Sequence, residues 1–193
     1  TNLVAAKAGV TPPTLYHYFD DKYALLAALG MRLMAAQNAL VPLEPGQGED
    51  AIAKSLLDHV DLTRQSPGGP WVMRMLRAVP QLAEVRLASH RMLAEALVER
   101  ALALEPRQDR ASLERRARLA VDLGYAAIEL VFDEPELDSR LIMQDAARAI
   151  RALLASPAFA CSSFIACIDC SPPAWGTISP VRSLMAAQLA ATP

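Results

Sequence analysis

Apolar residues recur at intervals of three and four along most of this chain, and the runs are broken by proline, glycine or short polar clusters. That spacing is helical, and it predicts a series of helices. A short one covers about 2–8 and a shorter one 12–18. A third covers about 22–40, with Leu25, Leu26, Leu29 and Leu33 on one face and Asp20 or Asp21 as its cap. Pro42 and Pro45 end it. The next helix covers about 50–65 and is closed by Ser66-Pro67-Gly68-Gly69-Pro70. The segment 71–79 is apolar almost all round, which predicts burial on several sides. Pro80 restarts the chain into a helix reaching about Leu104, and Pro106 stops it.

Two more helices follow, at about 109–132 and 136–155. The first carries Leu113, Ala117, Val121, Gly124, Tyr125 and Ile128 along one stripe; the second carries Leu137, Leu141, Ile142, Ile150 and Leu153. The short link Asp133-Glu134-Pro135 predicts an antiparallel pair. From Ser156 the pattern changes. Charges nearly vanish, all three cysteines appear, and Ser and Pro become frequent, so 156–193 reads as an atypical tail, either a loosely ordered extension or a stretch translated from a shifted frame.

Composition supports the helical reading and adds little else. Hydrophobic residues make up 53 % of the 193 positions and aromatics 5 %, a mix poor in strand formers. No apolar run approaches the length of a membrane span, and Thr1-Asn2-Leu3 opens no signal peptide, so the expectation is a cytoplasmic protein without a membrane partner. The start without methionine points to a fragment. With a net charge of −2 there is no electrostatic footprint for nucleic acid, and Lys7 and Lys22 cancel Asp20 and Asp21 near the N-terminus. Any DNA-binding reading has to rest on a motif.

Residues 4–22 supply one. Ala5 and Ala8 are small enough for close helix approach, Gly9 suits the left-handed end of a helix, and Val10 plugs the angle to the next. Thr11 is a good N-cap and Pro12 fits the first turn. Leu15 and Phe19 then face the core, which leaves Pro13, Thr14, His17 and Tyr18 outward, as a helix entering the major groove requires.

The run Ala-Gly-Val, a small cap, Thr-Leu-Tyr-His-Tyr-Phe and a lysine three residues on resembles the signature of the tetracycline-repressor (TetR) family over about the first thirty residues. The resemblance implies an all-α fold. A helix-turn-helix DNA-binding domain (1–30), lacking its first helix here, would be followed by a helical effector-binding and dimerisation domain (31–155). It implies no cofactor and no catalysis. The partners it implies are a double-stranded DNA operator, a small-molecule effector and a second copy of the chain joined through about 109–155. Thr1, Tyr16, Tyr18 and Lys22 would then meet phosphates, while Asn2, Thr14 and His17 would select sequence, with Thr11 and Pro13 beside them at the groove.

The resemblance places an apolar effector pocket among the middle helices. His59, Trp71, Met75, His90 and Met92 are the candidate lining residues, with Met73, Leu76 and Leu93 near them. Taken singly, each Met reads as core and each His as a surface residue. For the dimer, Ala120, Gly124 and Ala127 permit close helix approach around Leu113, Val121 and Ile128; the alternative is that this stripe packs against the chain's own core. The rival functions have less behind them. Cys161, Cys167 and Cys170 lack a fourth ligand for a metal site, and no phosphate loop or nucleophile motif is present. Acidic pairs such as Asp20-Asp21 and Glu49-Asp50 read as helix starts. A helical ligand-binding module without DNA-binding activity is the alternative function.

Overall fold

The structure, a computed structural model, describes residues 1–41 and 46–154. Every regular element among them is helical: α1 (Asn2–Lys7), α2 (Pro12–Tyr18), α3 (Lys22–Asn38), α4 (Glu49–Gln65), α5 (Gly69–Ala78), a 3-10 turn (Pro80–Leu82), α6 (Ala83–Leu104), α7 (Arg110–Asp133) and α8 (Ser139–Leu154). None of these helices is long and apolar enough to cross a membrane. Pro42, Pro45, Ala155, the tail 156–193 and its three cysteines lie outside the described residues.

The described residues fall into two compact units, Thr1–Lys22 and the body 23–154. In the small unit, α1 and α2 are joined by a tight turn. Gly9 takes a φ of 69°, and Val10 N–H donates to the Ala5 carbonyl at 3.0 Å. Such a positive φ is costly for any residue carrying a Cβ, which is why glycine stands there. Thr11 caps α2 by accepting from Thr14 N–H at 3.3 Å, and Pro12 opens the first turn. Ala5 and Leu15 are the buried residues of the pair.

In the body, α4, α7 and α8 pack extensively on one another, α6 lies along α7, and α5 rests on α4 and α6. The α7 stripe of Leu113, Ala117, Ala120, Val121, Gly124, Ala127 and Ile128 is buried within the single chain. A Cβ on Gly124 would sit 3.3 Å from a Leu56 methyl and 3.6 Å from one of Ile150, so the small residues seat α7 against α4 and α8. The own-core reading of that stripe therefore holds. What α7 leaves outward is a second apolar line, with Leu119 53 % and Leu130 41 % exposed.

Three sequence expectations need correcting. The segment expected to be buried on several sides is strongly two-faced: Val72, Met73 and Leu76 point inward, while Trp71 is 68 % exposed and carries the Arg74 guanidinium 5.5 Å from its ring. On α3 the buried line is Gly30, Leu33, Met34 and Gln37, with Leu26 half-buried; Leu25 is no more than half-buried and Leu29 stands outside. Finally, α8 starts at Ser139, later than expected, because the Asp138 carboxylate accepts from the N–H groups of Arg140 and Leu141 at 2.8 and 3.3 Å. Leu137 and Leu141 face outward, and Met143, Ala146, Ala147 and Ile150 form its buried face.

Candidate functional site

The polar side chains described in the small unit are exposed. Thr1 precedes α1 and Asn2 opens it; Pro13, Thr14, His17 and Tyr18 project from α2, and Lys22 opens α3, all of them exposed. Leu15, four residues before Phe19, is buried and Phe19 is half-buried, so α2 is anchored on that side and free on the other. Two contacts order the exposed side. The Tyr16 hydroxyl donates to Thr1 Oγ1 at 2.8 Å, linking α2 to the start of α1. Thr11 Oγ1 and Thr14 Oγ1 are 2.8 Å apart, so the capping residue and the outward threonine share one hydroxyl proton. The His17 and Tyr18 rings meet edge to face, with centroids 5.6 Å apart.

Such a face suits a polyanionic groove. It offers hydroxyls, one imidazole and the Lys22 ammonium on a two-helix frame whose buried side chains, among the described residues, are apolar.

The five candidate pocket residues of the body differ in burial. Trp71 is outside; Met75 and Met92 are half-buried. His59 and His90 are both buried, which overturns their expected surface placement. His59 Nδ1 lies 2.8 Å from the Ser55 carbonyl, and His90 Nδ1 lies 2.6 Å from the Asp122 carboxylate. Both acceptors lack a proton, so each ring donates from Nδ1. Burial holds both imidazoles below the usual histidine range, an effect partly offset for His59 by Ser55 and for His90 by Asp122. Tyr125 joins them, stacked on His90 at 4.2 Å and edge-on to His59 at 6.4 Å. Burial raises its phenol above the ordinary range.

Around these rings runs a hydrogen-bonded interior whose members the sequence did not single out. Tyr125 donates to Asn38 Oδ1 at 3.0 Å, and Asn38 Nδ2 donates to Ser89 Oγ at 2.8 Å. Gln37 donates from Nε2 to Thr63 Oγ1 at 2.7 Å. A signal for two of them exists: Gln37 falls four residues after Leu33, and Thr63 three after Val60, each on a buried stripe. Polar residues on an apolar stripe mark an interior network.

On the outside of the body, α5 and the end of α7 enclose a groove of about 430 Å³, lined on its apolar side by Pro70, Met73, Ala78 and Phe132. Its charged side pairs internally: Arg74 with Asp133 at 3.3 Å, and Arg77 with Glu129 at 2.9 Å. Arg74 also donates to the Phe132 carbonyl at 2.9 Å, near the C-terminal end of α7. Among the described residues no group of His, Cys, Asp and Glu is arranged to hold a metal ion.

Residues 1–29 match the family of bacterial regulatory proteins, tetR family. The match covers α1, α2 and the first part of α3, the region that carries the exposed polar face. No curated protein and no solved structure matches the chain.

Proposed function

We propose that this chain, whose residues 1–29 match the tetR family of bacterial regulatory proteins, is a regulator of that family, a ligand-responsive repressor that binds operator DNA as a homodimer. The observation that carries this reading is the α1–α2 unit: Gly9, Thr11 and Leu15 hold a two-helix frame, and Pro13, Thr14, His17 and Tyr18 stand on its open face. α2 is the recognition helix. Thr1, Tyr16, Tyr18 and Lys22 position the duplex through phosphates, Thr11 and Pro13 shape the groove edge, and Asn2, Thr14 and His17 read bases.

Two recognition helices about one DNA turn apart require two chains. The outward apolar line of α7 with Leu141 of α8 supports pairing through the last two helices, since these leucines stay exposed among the described residues. An effector bound in the body lowers DNA affinity by as much as it prefers the conformation with misaligned recognition helices. The domain limits 1–30 and 31–155 belong to this reading.

The test is a titration against DNA flanking the protein's own gene over a range of salt. Tight binding to one near-palindromic site, falling steeply with salt, is the expected result. Weak binding that ignores sequence would return the chain to the rival reading of a helical ligand binder that does not act on DNA.

A further inference from the structure

Gln37 is fully buried, and only one side of its amide is satisfied. The orientation follows from its neighbour. Thr63 Oγ1 donates its proton to the His59 carbonyl at 2.7 Å, so at the 2.7 Å contact with Gln37 it can only accept. The amide must present Nε2 there, and Oε1 is left without a donor. Few native interiors tolerate such an atom without a reason.

The same amide touches Met73 Sδ at 3.4 Å, and Met73 also lines the groove between α5 and α7. One flexible, unbranched side chain therefore stands between a groove of about 430 Å³ and the Gln37 amide, whose Oε1 is unused. That volume lies within the range of small-molecule sites, roughly 300–1,000 Å³. The groove's own charges are already paired, Arg74 with Asp133 and Arg77 with Glu129, so a charged occupant would have to break a pair that a neutral one leaves intact. Because Oε1 only accepts, the occupant must donate.

We propose that this groove is the outer part of a binding site for a small uncharged molecule with an apolar body and one hydroxyl or N–H donor. The molecule takes the groove, displaces Met73 and delivers its donor to Gln37 Oε1. The inference deepens the ligand-responsive reading above and rests on it for its regulatory meaning.

The test uses two isomers of equal composition, 4-butylphenol, which donates, and 4-propylanisole, which does not. Trp71 reports binding, because Arg74 of the groove stacks on its ring; replacing the other tryptophan, Trp175→Phe, leaves it as the sole signal. The expected result is a saturable change with 4-butylphenol and about tenfold weaker binding of 4-propylanisole. Gln37→Met removes the preference, and Ala78→Phe, at an exposed position of the groove, weakens both isomers. Equal affinities in the parent protein overturn the proposal, since a water on Oε1 would then account for it, and so does the lack of saturable binding by either isomer.

A DNA titration separates the two readings. If the isomers are discriminated but DNA affinity does not change, the site stands and the ligand-responsive reading falls. If 4-butylphenol releases DNA equally well from Ala78→Phe, the reading stands and the site falls.

Discussion

The Tyr16 hydroxyl lies 2.8 Å from Thr1 Oγ1 and donates to it, a contact between residues fifteen positions apart. Tyr16 has one hydroxyl proton, and in the DNA-free protein Thr1 holds it. Thr1 keeps its own proton to offer. If the pair meets a phosphate, the two side chains act on it as one unit, with Tyr16 orienting Thr1. Thr1→Ala and Tyr16→Phe should each weaken DNA binding about three- to tenfold, and the double variant should lose little more than either single one. A double-mutant cycle measured by DNA titration decides this; fully additive losses would mean that each hydroxyl reaches a phosphate of its own.

Lys22 opens α3 beside the exposed face. If it meets a phosphate, Lys22→Ala should weaken operator and unrelated DNA alike and reduce the salt slope by about one. An unchanged slope would place Lys22 away from the duplex.

Leu119 and Leu130 lie eleven residues apart on one side of α7, both exposed among the described residues. If the chain pairs through this side, glutamate at either position should leave the monomer folded while abolishing pairing, as read by sedimentation equilibrium. DNA affinity should fall with it, because one recognition helix alone loses the second half-site. A variant that remains dimeric would move the interface elsewhere.

Gly69 faces backbone at close range. A Cβ built there would stand 2.1 Å from the Thr63 carbonyl oxygen, whereas one on Gly30 would meet the Leu76 side chain, its nearest methyl at 2.6 Å. Carbonyls in a helix cannot swing aside as leucine methyls can. Gly69→Ala should therefore cost about 1–3 kcal/mol, and Gly30→Ala clearly less. Thermal denaturation of the two variants side by side would show it; equal losses would count against the backbone argument.

His59 and His90 are held below the ordinary value of 6.5 by burial, which penalises the imidazolium. Just below that value the unfolded chain binds more protons than the folded one, so protonation favours unfolding. Their neutral forms contribute no pH dependence above about 6.5, and stability falls as the pH drops from there towards the folded values. The thermal midpoint should be flat above neutrality and decline as the pH falls below about 6.5, and His90→Gln should flatten part of that decline. A midpoint that rose on acidification would reverse the sign of the argument.

Much of this protein was legible along the chain, and for a local reason. The bounds of α2 follow from Thr11, Pro12 and the residues of the next two turns; the break before it follows from Gly9; and the restart of α6 follows from Pro80. Capping, φ preferences and the missing proline N–H all act within four or five residues, so a linear reading reaches them. The exposed polar face of α2 was legible for the same reason: Leu15 and Phe19 define one side of a helix, and the other side follows.

What only the tertiary structure decided is which side α3, α5 and α8 turn inward and which polar residues go with it. Trp71 is the largest apolar residue of α5, yet it lies outside, because α4 and α6 meet the face that carries Val72, Met73 and Leu76. Gln37, Thr63, His59 and His90 are polar, yet they lie inside, held by partners up to 36 residues away. Helical periodicity sorts residues onto faces but does not say which neighbour each face will meet. Burial is set by contacts between segments far apart in sequence, and those exist only once the helices have packed.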